Sequence, residues 1–137
     1  MHMQATITYL DGVRFEAEAR GFRVICDQPA AGGGEDRGMS PPEFLLVSLG
    51  TCAGYYALQY LKTRSLPTDG LSVRVEATKA LGPARLDSFR IEVQIPELDE
   101  RHREGVLRAV KSCLVHNTLL HAPRIETVLT TAVAAQS

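Results

Sequence analysis

The feature that most constrains this 137-residue chain is a run from Phe44 to Leu61 that is apolar nearly all round. Its apolar members include Leu45, Leu46, Val47, Leu49, Ala53, Tyr56, Ala57, Tyr60 and Leu61. The preceding Ser40-Pro41-Pro42-Glu43 is typical of a helix start, with a Ser N-cap, Pro at the first helical position and an acid three residues after the cap. A helix that is apolar on all sides must be buried on most of them. We therefore expect a helix from Pro41 that needs a partner subunit to cover it.

Strand-forming patterns occur at six places along the chain. They are residues 4–10, 13–19, 22–26, 71–78, 89–95 and 125–133. Asp11-Gly12 is typical of a hairpin turn between the first two strands, and the Gly-rich segment 28–39 lacks periodicity and predicts a loop. A second helix is predicted from Asp99 to about His116 by apolar residues at three- and four-residue spacing. The order β-β-β-α-β-β-α-β predicts one α+β domain over residues 1–137, with two helices on one face of a mainly antiparallel sheet.

The composition narrows the possible partners and location. The chain has 15 Lys and Arg against 16 Asp and Glu, so it has no broad positive field for nucleic acid or an anionic membrane. The N-terminus lacks the pattern of a secretory signal, and no uninterrupted apolar run approaches the roughly 20 residues of a membrane span. Three cysteines are too few for a disulfide-stapled secreted scaffold. We expect a cytoplasmic protein whose ligand is small.

Two of the cysteines are candidates for chemistry. Cys52 lies in the first predicted helix and Cys113 on the buried face of the second, and two helices in so small a domain would pack side by side. A neighbouring thiol can trap an oxidised cysteine as a disulfide. Either cysteine could equally be a small buried hydrophobe, as free cysteines usually are. Cys26 has no such partner and is expected to be incidental.

If Cys52 is reactive, a side chain must activate it, because it is far from the positive end of its helix. The nearby cations in sequence are Arg37 in the Gly-rich loop and Arg14, Arg20 and Arg23 on the strands. Glu43 has two possible roles, capping the helix or holding an Arg near the thiol. In a regular helix Glu43 and Cys52 would lie on opposite sides, so contact between them would need a bulge or kink at Gly50.

A metal site is the chief alternative to redox chemistry. Cys113-x-x-His116 places two ligand types one turn apart, and His121 follows. No Cys-x-x-Cys pair supports it. The chain also has neither a phosphate-binding Gly-rich loop nor the Gly-x-Ser-x-Gly turn of serine hydrolases.

Two segments resemble the cysteine motifs of the OsmC/Ohr superfamily. The first runs from Gly38 to Cys52 (GMSPPEFLLVSLGTC), and the second from Val110 to Leu119 (VKSCLVHNTL). The resemblance implies an intertwined homodimer and a thiol peroxidase acting on organic hydroperoxides. It implies that Cys52 becomes a sulfenic acid and that Cys113 condenses with it to a disulfide. An external dithiol, in the family a lipoylated protein, then reduces the disulfide, and no metal or bound organic cofactor is required.

The chain departs from the family's peroxidases at three points. Glu43 and Cys52 are nine residues apart rather than ten, Leu114 replaces a common Pro, and no Arg matches the expected context. Arg37 is the first choice for the activating Arg and Arg14 the second. The resemblance places Phe44, Tyr55 and Tyr56 in the substrate pocket. The alternative function is a non-catalytic domain that binds a small apolar ligand at the dimer interface.

Overall fold

The computed structural model describes residues 2–132. Its elements are β1 (Thr6–Asp11), β2 (Arg14–Ala19), β3 (Phe22–Cys26), α1 (Pro41–Thr63), β4 (Ser72–Ala80), β5 (Arg85–Gln94), α2 (Arg103–Lys111) and α3 (Leu114–Leu120), with short 3-10 turns at Ala30–Gly32 and Glu100–His102. The predicted α+β class with antiparallel strands is confirmed. The strands form two separate sheets, ordered β1-β2-β3 and β4-β5.

The first sheet has one apolar and one polar face. Ile7 pairs with Ala17, which pairs with Val24, and Tyr9 and Phe15 continue the same face. The opposite face carries mostly polar side chains, namely Thr6, Thr8, Glu16, Glu18 and Arg23, together with Ile25. In this single chain the apolar face is uncovered, with Ile7 57% and Val24 48% exposed. The first sheet therefore exposes an apolar face of the kind that is normally buried in a protein core.

Helix α1 begins at Pro41 as predicted and extends to Thr63. Its buried residues are Leu49, Ala53, Ala57 and Leu61. The four-residue spacing makes them a single stripe, because residues four apart lie on the same side of a helix. Val47 and Tyr55 on other sides are 46% and 55% exposed. One chain thus covers only part of an almost wholly apolar helix.

Gly50 does not kink α1, which is continuous through this position. A Cβ at residue 50 would lie 3.0 Å from Cγ2 of Val75. Glycine here lets β4 approach the helix backbone closely. A straight helix also keeps Glu43 and Cys52 on different sides of it.

The second sheet packs its apolar face on the helices. Val73 pairs with Val93, and Val75 pairs with Ile91. The buried centre consists of Ala53 and Ala57 of α1 with Val106 and Val110 of α2, against which the helix-facing residues of β4 and β5 pack. This arrangement holds α1 and α2 side by side, as the sequence predicts.

The predicted single helix over residues 99–116 is wrong, because it is broken into α2 and α3. The backbone N–H groups of Ser112 and Cys113 donate to the carbonyls of Ala109 and Val110, three residues back. Cys113 is extended, at φ −60° and ψ 134°. The apolar spacing continues across the break, and no Pro or Gly marks it, so the pattern gives no sign of the interruption.

The predicted last strand is not formed over residues 125–132, and residue 133 lies outside the described residues. Ile125, Val128 and Leu129 are 82%, 74% and 90% exposed. A strand needs a neighbouring edge to accept its backbone hydrogen bonds, and none of this chain's described strands lies beside the segment. In place of the predicted last strand, the described chain ends in a third helix followed by a segment without regular secondary structure.

Helix α1 is also long and apolar enough to cross a membrane by length and composition, which the sequence-based expectation of no such segment did not foresee. The core helix of a folded domain meets the same criterion. Here α1 packs against β4, α2 and α3, which is the position of a core helix.

Candidate active site

The two candidate cysteines are brought together in the fold. Cys52 is half-buried on α1, and Cys113 is fully buried at the residue that precedes α3. The two thiols are near enough to influence each other, and both are free. The break between α2 and α3 contributes to this placement, because the extended backbone at Cys113 ends one helix and starts the next beside α1.

Burial raises the pKa of the Cys113 thiol, and the hydrogen bond and charge interaction with Cys52 raise it further. The backbone N–H groups of His116 and Val115, in the first turn of α3, partly oppose this rise. Desolvation disfavours the charged thiolate, and a neighbouring thiolate repels a second one. The Cys113 thiol therefore resists ionisation.

Arg14 and Arg37, the two candidate activating residues, both lie near Glu35. Arg14 Nη1 is 3.0 Å from Glu35 Oε1, and its Nη2 is 2.5 Å from Asp11 Oδ1. These carboxylates raise the pKa of Arg14. Arg37 is 65% exposed, and its Nη2 is 3.5 Å from Glu35 Oε1. Within residues 2–132, no hydrogen bond or ion pair joins either Arg to Cys52.

Asp27 organises this corner and was missed by the sequence reasoning. Its carboxylate is 1% exposed and accepts hydrogen bonds from the backbone N–H groups of Gln28, Glu35 and Arg37, at 2.8, 3.2 and 3.0 Å. Burial by itself raises the pKa of Asp27, but these hydrogen bonds together with the charge of Arg14 hold it below its usual value. The carboxylate thus fixes the loop that leads into α1. The only sequence signal is an Asp directly after a strand and before a Gly-rich loop.

Glu43 caps α1, the first of its two predicted roles. Its Oε1 accepts from the backbone N–H of Ser40 at 2.8 Å and from the Ser40 hydroxyl at 3.0 Å. These two hydrogen bonds lower the pKa of Glu43. The carboxylate is therefore engaged at the start of the helix, more than two turns before Cys52.

The three predicted pocket residues do not line one common pocket. Tyr55 lines an open groove between α1 and β4 to which neither Phe44 nor Tyr56 contributes, although the rings of Tyr55 and Tyr56 are in edge-to-face contact. Tyr56, one turn after Cys52, lines a cavity of about 520 Å³ together with Ser112 and Leu114, which flank Cys113. Of the three, Tyr56 is thus the residue placed beside the thiols.

The metal alternative gains no support from the geometry. His121 Nδ1 lies 3.0 Å from the backbone carbonyl of Asn117. Over the part of the chain that the structure describes, no group of three or more His, Cys, Asp and Glu side chains is placed to hold an ion.

His116 has a different surrounding. It lies between two cavities along β5, and its Nδ1 is buried without a hydrogen-bond partner among the described residues. The sequence singled out His116 for its spacing from Cys113, but not for this isolated position.

These features define a class of protein: a small α+β protein whose long core helix carries a thiol beside a second thiol on the neighbouring helical segment. The sequence profile of the family described as OsmC-like protein matches residues 32–128, which include both cysteines. The chain belongs to this family, within the OsmC/Ohr superfamily. No curated protein matches it.

Solved structures show the same fold. An OsmC-like protein of Mycoplasma pneumoniae superposes with a TM-score of 0.74 at 19% identity, over 89% of each chain. An organic hydroperoxide resistance protein of Elizabethkingia anophelis gives 0.70 at 16% identity, over 89% of this chain and 90% of that one. The organic hydroperoxide resistance protein OsmC of Legionella pneumophila gives 0.64 at 16% identity, over 88% and 90%. Some structural neighbours are thus named for resistance to organic hydroperoxides.

Proposed function

We propose that this protein is a cysteine-based thiol peroxidase that reduces organic hydroperoxides, with Cys52 as the peroxidatic and Cys113 as the resolving cysteine. The observation that carries the proposal is the pairing of a half-buried Cys52 with a fully buried Cys113. The names of the structural neighbours from Elizabethkingia and Legionella support the choice of substrate.

In the proposed reaction, the Cys52 thiolate attacks an oxygen of the hydroperoxide ROOH and the O–O bond breaks. Cys52 becomes a sulfenic acid, and the other oxygen leaves as the alcohol ROH after taking up a proton. The Cys113 thiol then attacks the Cys52 sulfur, forming the disulfide as the S–O bond breaks and water leaves. An external dithiol, such as that of a lipoylated protein, reduces the disulfide and is itself oxidised.

The raised pKa of Cys113 suits the resolving role. A protonated thiol does not compete for the hydroperoxide, since the thiolate is the nucleophile. Oxidation of Cys52 would remove its charge, the smaller influence on the pKa of Cys113, while burial, the larger one, remains.

We assign Arg37 as the first candidate to stabilise the Cys52 thiolate and Arg14 as the second. Arg37 is the less restrained, with one carboxylate at 3.5 Å, whereas Arg14 contacts two carboxylates at shorter distance. Glu43 would act by holding the start of α1 rather than by direct contact with the sulfur. Phe44, Tyr55 and Tyr56 remain the proposed pocket residues, with Tyr56 the best placed.

The proposed working form is an intertwined cytoplasmic homodimer of single-domain chains, each comprising residues 1–137. Support comes from the uncovered apolar face of the first sheet and from the partly covered α1. A second copy could cover both. No metal, bound organic cofactor, nucleic acid or membrane enters the proposed function.

The test is to add one equivalent of cumene hydroperoxide to the reduced protein and to map its disulfides by mass spectrometry. We expect a Cys52–Cys113 disulfide within one chain. Cys52→Ser should abolish dithiol-dependent turnover, and Cys113→Ser should accumulate oxidised Cys52. Arg37→Gln should slow the first step by about tenfold or more if it supplies the stabilising charge.

Cys26→Ser is the matched control and should retain the wild-type rate. Thiols that stay reduced after exposure to hydroperoxide, or full turnover by Cys52→Ser, would refute the peroxidase assignment. Slower turnover in Arg14→Gln than in Arg37→Gln would reverse the order of the two arginines.

A non-catalytic ligand-binding function is the second candidate. It is favoured by one observation: Arg14 and Arg37 pair with carboxylates, and Glu43 pairs with Ser40, rather than with either sulfur. It predicts saturable binding of a small apolar molecule without any disulfide formation in the same assay.

A further inference from the structure

Arg14, at the start of β2, is surrounded by three carboxylates. Its guanidinium nitrogens lie 2.5 Å from Asp11 Oδ1, 3.0 Å from Glu35 Oε1 and 4.0 Å from Asp27 Oδ2. The Arg14 side chain is only 19% exposed, so salt and water screen these ion pairs less than they screen pairs on the surface. Its single positive charge is therefore more than balanced by its neighbours, and little of it is left to stabilise a thiolate elsewhere.

Two of these carboxylates also hold the loop 28–39, which carries Arg37. Asp27 Oδ2 accepts hydrogen bonds from the backbone N–H groups of Glu35 and Arg37, at 3.2 and 3.0 Å. Glu35 Oε1, the oxygen that Arg14 contacts, is also the one that lies 3.5 Å from Arg37 Nη2. Arg14 is thus connected to the backbone of Arg37 through Asp27 and to its side chain through Glu35.

Arg37 differs from Arg14 in both exposure and pairing. Its side chain is 65% exposed, and among the described residues its one ion pair is with Glu35, at 3.5 Å. Exposed ion pairs of this kind are weak, so the guanidinium of Arg37 can turn toward another anion at small cost. The two arginines therefore share a carboxylate, but Arg14 is fixed by its contacts and Arg37 is not.

We propose that Arg14 is a positioning residue, which holds the loop 28–39 against β2 and so sets the position of Arg37, instead of stabilising the Cys52 thiolate itself. This inference rests on the proposed function, in which Arg37 supplies that charge, and it gives the second candidate arginine a different role. Without Arg14, Asp27 and Glu35 would lose the cation they share. Repulsion between the two carboxylates would then loosen the loop.

Hydrogen exchange of the reduced protein tests the hold of Arg14 on the loop and needs no peroxidase activity. In Arg14→Gln the backbone amides of Glu35 and Arg37 should exchange about tenfold faster than in wild type, because their hydrogen bonds to Asp27 open more often. Glu35→Gln breaks the same connection and should speed exchange of the Arg37 amide. Since the Glu35 side chain is 65% exposed, this variant should fold even if Arg14→Gln does not.

The second measurement is the pH profile of Cys52 alkylation by iodoacetamide, read by mass spectrometry, because its midpoint reports local charge rather than stability. Arg37→Gln should move the midpoint up by about one pH unit, and Arg14→Gln should move it by less. In the double variant, Arg14→Gln should add nothing to Arg37→Gln, because it acts through Arg37. Arg23→Gln is the matched control, since Arg23 lies on neighbouring β3 and forms no ion pair within residues 2–132. It should change neither measurement.

Unchanged exchange in both Arg14→Gln and Glu35→Gln would overturn this inference alone. So would an effect of Arg14→Gln on the alkylation profile that persists in full when Arg37 is replaced, because Arg14 would then act on Cys52 directly. Failure of the proposed function is seen separately, as thiols that stay reduced with cumene hydroperoxide. In that case the exchange rates still decide whether Arg14 holds the loop.

Discussion

At the scale of the residue, environment separates two chemically identical thiols. Cys113 is buried and its pKa is raised, whereas Cys52 is half-buried on a helix with an uncovered side. The sequence could nominate both residues from their motifs. It could not supply the raised pKa of Cys113, because burial and the proximity of Cys52 depend on the break before α3.

Asp27 is a second residue whose surroundings could not be predicted from its sequence. Nothing in its immediate sequence requires it to be buried, yet three backbone N–H groups of the following loop converge on it. These hydrogen bonds form only after the loop has folded back, so the sequence around Asp27 does not predict them.

Asp27→Asn should destabilise the protein at neutral pH, because an amide cannot replace a carboxylate that accepts three backbone hydrogen bonds. The folded-state pKa of Asp27 is lowered, so its stabilising contribution is complete above the unfolded pKa of about 4 and is lost as pH falls through the folded pKa. The difference between wild type and variant should therefore be largest at pH 7 and should shrink below about pH 4. Urea denaturation at several pH values measures it.

The exposed Asp36→Asn in the same loop is the control and should change stability little. A stability difference that is constant between pH 7 and pH 3 would show that the charge of Asp27 contributes nothing.

At the scale of the element, local signals predicted a start only where a helix cap or a tight turn marks it. The Ser40 and Glu43 cap fixes the beginning of α1, and Asp11-Gly12 fixes the first hairpin. Strand β5 instead begins at Arg85, before its predicted start, because Arg85, Leu86 and Ser88 pair with β4. Pairing with β4 therefore determines where β5 begins.

Contacts between elements also decide which positions require glycine. At Gly105 in the first turn of α2, an added Cβ would lie 2.6 Å from Cε2 of Tyr60. The Tyr60 ring cannot easily move away, since its hydroxyl is 2.9 Å from His102 Nδ1 and Arg64 stacks on it with Cζ 3.7 Å from the ring centre.

Gly105→Ala should therefore destabilise the protein by about 1–3 kcal/mol through overpacking, although Ala is the better helix former. Urea denaturation provides the measurement. Gly32→Ala is the control, because a Cβ there would approach no atom closer than 3.5 Å. A more stable Gly105→Ala protein would show that helix propensity outweighs the contact with Tyr60.

At the scale of the whole molecule, this chain leaves three apolar regions open. The apolar face of the first sheet, one side of α1 and the apolar side chains of segment 122–132 are exposed. Exposed patches of this kind mark protein–protein contacts in soluble proteins. The proposed homodimer predicts that a second copy covers all three.

We expect the protein at micromolar concentration to sediment at twice the mass of one chain. Val24→Asp, on the apolar face of the first sheet, should raise the dimer dissociation constant by about 100-fold or more, because it buries an unpaired charge. The adjacent Arg23→Asp points to the polar face and is the matched control. A monomeric wild type, or equal effects of both variants, would contradict the dimer. Analytical ultracentrifugation distinguishes these results.

The sequence by itself determined the family, the α+β class, the start of α1 and the two cysteines, because capping, turns and motif spacing are local properties. Only the tertiary structure decided that α2 ends before Cys113, that Asp27 holds the loop and that His116 Nδ1 is buried without a partner among the described residues. Each of these depends on which groups meet after folding. Hydrogen-bond partners and burial are properties of neighbours in space, and a one-dimensional pattern does not contain them.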